Sequence, residues 1–259
     1  MKIRLFEFED LPWFPTKIRE GMTDYLRFIL NSANLYEPIT PLLYEALEKS
    51  DSSLVLDLCS GSGGAIENIQ KNIKRYYKRD IHFILSDKYP NLPSYKFLHH
   101  KTSGKIFYVD HSVDATAVPG HIKGFRTIFS GFHHFNRQKA ITVIKDAVNA
   151  RQGIAIFDGG DKNIFIIVAI LIAHPLLFFA CTPFFRPLTF SKILFTYLIP
   201  VIPICTIWDG IVSVLRLYKP SELINMGKQA GPHYNWTAGK VRNRFGMKIA
   251  YLVGYPPPL

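Results

Sequence analysis

Cysteine is scarce in this chain: Cys59, Cys181 and Cys205 are the only three in 259 residues. An odd, scattered set excludes a disulfide framework and a cysteine-rich metal centre, and predicts reduced thiols in a cytoplasmic setting. The first ten residues lack the apolar core of a secretion signal and carry Glu7, Glu9 and Asp10 instead, so no such signal is expected. Acids are also few, 20 Asp and Glu against 31 Lys and Arg, for a net charge of +11. That balance favours an anionic partner, either nucleic acid or an acidic membrane face. There is no internal repeat or low-complexity tract, and a hydrophobic content of 48% excludes a disordered chain.

Two nucleotide signatures are incomplete in an informative way. Residues 54–64 (LVLDLCSGSGG) read as a buried strand, an acid and a tight turn that opens a helix. Gly61 and Gly63 let the backbone approach a ligand, and the next helix offers free N–H groups. A dinucleotide fingerprint needs a glycine where Ile66 stands, and a Walker loop needs Gly-Lys-Ser/Thr. Neither is present.

The rest of the chain places this turn in an α/β frame. Ile18, Met22, Tyr25, Leu26 and Ile29 recur at helical spacing near the start, and a short helix over 41–49 follows, capped by Thr40. From Ser53 strands and helices alternate. Strands are expected at 54–58, 81–86, 106–109, 125–130 and 153–157, with helices at 65–77 and 137–149. Alternation of this kind implies a parallel sheet covered on both faces. The loops at the carboxyl ends of its strands converge on one crevice. Asp87, Asp114 and residues 130–134 (SGFHH) all fall there. Residues 234–240 and 248–255 read as a closing strand hairpin.

This layout resembles the class I S-adenosylmethionine (SAM)-dependent methyltransferases, whose first motif is usually acid-x-Gly-x-Gly-x-Gly. Asp57, Gly61 and Gly63 fit it, and Cys59 stands in place of the first glycine. The resemblance runs through residues 53–158 and resumes at 234–255. Residues 185–187 (FRP) and 208–216 look like a bacterial branch of the family. It implies a Rossmann-like sheet, mostly parallel, with a C-terminal antiparallel hairpin, and SAM as cofactor. It implies cofactor contacts from Asp57, Ser60, Gly61 and Gly63, from Asp87 and Lys88 at the ribose, and from Asp114 and Ala115 at the adenine. Ser130 would stand at the methionine end. Tyr25 and Arg27 are candidates to close over SAM and bind its carboxylate. No metal is required. His133 and His134 are candidate general bases, since histidine titrates near neutral pH. Asp209 is a third catalytic candidate, because an acid between apolar segments needs a polar reason to be there.

Four regions follow: a helical cap at 1–50, a SAM-binding core at 51–161, an apolar insertion at 162–220, and the end of the core at 221–259. Residues 164–181 and 193–215 of the insertion are long enough to span a bilayer. A hairpin of spans would put Arg186 and Lys192 in its translocated loop, against the positive-inside tendency. Three arrangements stay open: a lid of broken helices over the crevice, a buried cap, and a transmembrane hairpin. Basic residues at 71–79 and 240–248 are expected to flank the insertion and draw it to an anionic surface, which places the protein on the cytoplasmic side of the inner membrane. The expected activity is methyl transfer to a small apolar or lipid-like molecule. Two alternatives are a non-catalytic SAM-binding interaction protein at the membrane and a nucleic-acid methyltransferase. The second lacks the usual Asn/Asp-Pro-Pro-aromatic motif after the fourth strand.

Overall fold

Short apolar runs bounded by Gly, Ser and Asp form the strands. In the computed structural model, which describes residues 5–257, these are β1 (Leu54–Asp57), β2 (His82–Leu85), β3 (Ile106–Tyr108), β4 (Phe125–Phe129), β5 (Ile154–Gly159), β6 (Asn235–Arg242) and β7 (Lys248–Tyr255). They make one seven-stranded sheet in the order β3-β2-β1-β4-β5-β7-β6. β1 to β5 are parallel, and β7 runs antiparallel to both β5 and β6. Leu58, Ile81, Ser86, Val109, Ser130 and Gly153 lie just outside the ladders, while β5 continues to Gly159.

The helices are α1 (Thr16–Ser32), α2 (Thr40–Lys49), α3 (Ile66–Tyr77), α4 (Leu92–Lys101), α5 (Arg137–Asn149), α6 (Ile164–Cys181), α7 (Phe190–Ile193), α8 (Val201–Arg216) and α9 (Pro220–Ala230). Alternate side chains of one strand serve opposite faces. Val55 of β1 joins a core with α2, α3 and α4, and Leu56 joins one with α5 and α9. All five residues of β4 are buried, as a strand covered on both faces requires. Helix α4 has no periodic apolar face in the sequence. It is set by Asn91, whose side chain accepts the Ser94 N–H at 3.2 Å, and by Pro93 in its first turn. Thr40 is the first residue of α2 rather than its cap.

The insertion roofs the carboxyl ends of the strands. α6 is apolar all round, and Ile170 and Phe178 are its buried residues. Phe178 stacks on Tyr25 of α1 with ring centroids 3.7 Å apart. α7 runs into a π-turn (Leu194–Leu198), and this pair meets α8 at 78° beside Pro200. Lys192 reaches inward to Asp24 of α1, which also accepts the Ser94 hydroxyl of α4. Arg27 donates to the carbonyl of Arg186. Charge therefore fastens an apolar roof to the core.

The two basic clusters part company. Lys74 pairs with Asp80 at 3.2 Å, Arg79 with Glu48 and Lys71 with Glu67. Asp80 and Glu48 precede β2 and β1, so residues 74–79 of this cluster lie at the amino end of the sheet, away from the roof. Only the 240–248 cluster, on the β6–β7 turn, stands beside the start of α6, where Asp161 pairs with Lys240 and Lys248.

Asp24 and Lys192 are almost wholly buried, and removing one partner of a buried pair costs about 3–5 kcal/mol. Lys192→Ala should lose about that much in urea unfolding with an unchanged m-value. The double variant Asp24→Leu/Lys192→Met should lose less.

Candidate active site

The loop after β1 depends on left-handed backbone. Cys59, Gly61 and Gly63 have φ of 56°, 54° and 97°. At Cys59 an L side chain accepts this conformation, at a cost of about 1–2 kcal/mol. At Gly63 a Cβ would stand 2.3 Å from Leu98 Cδ1 of α4, so a side chain there would displace Leu98 and strain the backbone. Gly63 thus serves close packing and does not line the cavity above it. Asp57 lies beneath the loop. It accepts the hydroxyls of Ser60 at 2.6 Å and Thr127 at 2.7 Å, and burial pushes its carboxyl up to about 7. Asp57 lines neither cavity, so in place of the expected cofactor contact it forms an internal strut between the loop and β4.

Above the loop is a cavity of about 470 Å³. Ser60, Gly61, Asp87, Lys88, Asp114, Ala115 and Ser130 line it together, as the sequence predicts. Asp87 accepts the N–H groups of Gly61 and Tyr89, each at 2.8 Å, so it shapes the loop as well as facing the cavity. Asp114 accepts the Thr116 hydroxyl at 2.6 Å, which holds its carboxyl below the usual range.

A second cavity of about 650 Å³ adjoins the first, between α1, α6, α8, the end of β5 and the β6–β7 turn. Its walls are apolar (Met22, Ile29, Ile166, Ile170 and Val214). One end is polar, with Glu7, Tyr36, His133 and Asp209. Glu9, Leu26, Leu30, Ser130 and His134 line both cavities, so the two meet there.

The two histidines occupy one 3-10 turn, Phe132–His134, but have different surroundings. His133 Nδ1 lies 3.3 Å from Asp158 Oδ1, and both side chains are buried. His134 Nδ1 lies 2.7 Å from Glu7 Oε2 and 2.9 Å from Asp10 Oδ1. Burial works against a charge on His134, but the two carboxylates outweigh it and hold the ring well above the usual imidazole range. Arg216 of α8 stands 3.0 Å from both Glu7 and Asp10. Asp209 accepts the backbone N–H groups of Phe8 at 2.8 Å and Glu9 at 3.0 Å. Residues 7–10 thereby form a strap clamped across the junction of the cavities. Glu7, His133 and His134 offer ligand atoms within 4.8 Å of one another, a metal-like spacing. Arg216 and Asp10 compensate Glu7 and His134, so the cluster balances its charge as an ion-pair network.

Three expected roles move. Asp209, a catalytic candidate in the sequence, spends both oxygens on the strap. Tyr25 packs under α6 and borders the second cavity rather than the first. Arg27 lines neither cavity; it is buried beside Asp24 at 3.8 Å and ties down the roof. The sequence reading missed the strap, Asp158 and Tyr36. The acidic run at residues 7–10 was a signal for the first. Asp158, at the end of an apolar strand, was one for the second.

No family model and no curated protein matches this chain. Solved structures do match it in fold. The SAM-dependent methyltransferase SibL aligns with 85% of the chain and 55% of its own (TM-score 0.51, 10% identity). The fold is that of the class I SAM-dependent methyltransferases. Human N-acetylserotonin methyltransferase in complex with SAM aligns with 90% of the chain and 56% of its own (TM-score 0.50, 11% identity). The pyocyanin biosynthetic protein PhzM aligns with 87% and 56% (TM-score 0.50, 10% identity). The chain spans little more than half the length of these proteins.

The clamp makes the strap sensitive to pH. Burial pushes the Asp209 carboxyl up to about 7 from 3.8. A raised carboxyl favours the closed strap while protonated and opposes it once ionised, and His134 favours it while charged. All such contributions fade as pH rises, that of Asp209 between 3.8 and about 7, and that of Glu9, which burial and then Asp209 push up to about 8, between 4.5 and about 8. Amide exchange at residues 6–11, corrected for its intrinsic rate, should quicken between about pH 5 and about pH 8. Asp209→Asn should flatten the part of that rise below about pH 7.

Proposed function

We propose that this protein transfers a methyl group from SAM to a small apolar, lipid-like acceptor, with the first cavity holding the cofactor and the second the acceptor. The observation that carries this reading is the meeting of the two cavities at Ser130 and His134. The residues of the first cavity fit the cofactor. Its size falls in the range of small-molecule sites, roughly 300–1,000 Å³. Asp87 and Asp114 are acceptors for hydroxyl and amine groups, and the Gly61 turn lets a ligand lie close to the backbone.

SAM supplies a methyl already activated on a sulfonium. The protein's part is to align the acceptor, exclude water and take up a proton. The apolar walls of α1, α6 and α8 suit a hydrocarbon body, and the polar end suits a hydroxyl or another acidic group. His133 is the base, with Asp158 orienting its ring. His134 is excluded from that role because Glu7 and Asp10 hold it as a cation. It keeps the strap closed over the junction, which raises the strength of every charge interaction beneath.

Calorimetry should show binding of SAM and S-adenosylhomocysteine and none of NAD. Asp114→Ala, at a half-exposed site, should weaken SAM about tenfold or more, as expected for a hydrogen bond to a charged group. His133→Asn should keep SAM affinity and lower kcat by about 10²–10⁴. Parallel loss of SAM binding and turnover would mark His133 as structural. SAM binding with no turnover on any apolar acceptor would favour the non-catalytic reading.

A further inference from the structure

We propose that the outer face of α6, α7 and α8 seats in one leaflet of an anionic bilayer, so that the protein is monotopic. This stands whether or not the chain transfers methyl groups. The segment Ile164–Phe184 has a mean hydropathy of 2.8 in its most apolar window, of which only 6% is buried. Phe165, Phe190 and Leu198 are 78%, 77% and 75% exposed. Contiguous apolar surface of this kind marks a binding face. Residues 164–208 contain no Asp or Glu. Their charges are Arg186, exposed between Phe184 and Leu188, and Lys192, turned inward to Asp24.

Geometry argues against a span. α6 lies along the domain and is held down through its length. Ile170 packs on Gly210 of α8, Phe178 on Tyr25, and the Tyr197 hydroxyl donates to the Phe179 carbonyl at 2.7 Å. The 78° bend between the α7 segment and α8 turns the chain back rather than carrying it across.

Chemistry favours lipid over a second copy of this chain. A protein interface carries about one hydrogen bond per 100–200 Å². The exposed side chains of α6 are Ile, Phe, Val, Leu and Ala, with no polar group to set a register against a partner. Lipid tails need no register. The rim has what a headgroup layer selects, exposed aromatics and cations: Trp13, Trp208 and Tyr197, with Arg186, and Arg242 and Arg244 flanking the turn of Phe245. The exposed residues of the second cavity are Asn163, Arg242, Phe245 and Gly246, so its mouth lies on this rim.

The test uses the full chain with vesicles of phosphatidylcholine, alone or mixed with phosphatidylglycerol. The protein should float with both at low salt, more strongly with phosphatidylglycerol. Brominated lipid should quench its tryptophan fluorescence. Phe165→Glu, Phe190→Glu and Leu198→Glu should each cut partitioning about tenfold or more. Thermal melts should not change, because these side chains are exposed. Arg186→Glu should reduce the preference for phosphatidylglycerol. No flotation with either vesicle would overturn the proposal. So would a stable dimer in solution that Phe190→Glu dissociates. Labelling of an Arg186→Cys variant by a membrane-impermeant maleimide from the face of the membrane opposite the sheet would overturn the one-leaflet arrangement in favour of a span.

Discussion

An open parallel sheet leaves the carboxyl ends of its strands bare, and the structure of this protein depends on how that edge is covered. The crevice forms there because chain direction diverges between β1 and β4. Hydrophobic contact alone does not orient a roof that is apolar on every side. Buried charge does. Asp24 joins α1, α4 and the Lys192 arm of the insertion, and Asp209 joins α8 to the strap. Such pairs add little net stability, since desolvation offsets their attraction, but a partner left alone is costly. Each pair therefore admits one docking of its cover.

The same placement divides the labour of two adjacent histidines. Nothing in their sequence distinguishes His133 from His134. One lies against the buried carboxylate of Asp158 at the end of β5, and the other lies between two carboxylates from a distant strap. A ring held between two carboxylates is a fixed cation. A ring beside a buried carboxylate is oriented by it and borders the second cavity. Environment rather than residue type sets the two rings apart.

Much of the core was legible in the sequence. The strands, the closing hairpin, α3 and α5 follow from local pattern, because a residue's face on a strand or helix is set by its spacing. The cavity-lining set Ser60, Gly61, Asp87, Lys88, Asp114, Ala115 and Ser130 was legible too, since strand ends in a parallel sheet share one edge. Helix α4 was not, because its formation rests on a cap and a proline rather than on periodicity. Asp57 and Gly63 belong to the expected motif yet do not line the cavity. A motif identifies the loop and leaves open which atoms support it and which face outward. Arg27 and Tyr25 were placed on the right helix but the wrong side of the site.

The sequence by itself determined the class of fold, the chain order of the sheet and the loop that approaches a ligand, because each depends on residues close together in the chain. It also determined that residues 164–215 are apolar and broken by proline. Only the tertiary structure decided what those residues cover. It joined Glu7 and Asp10 to His134 across more than a hundred residues, turned Asp209 from a catalytic candidate into a clamp, and left one face of α6 open. These outcomes follow from burial and charge pairing between segments remote in sequence, and no local pattern records which remote partner a buried charge will find.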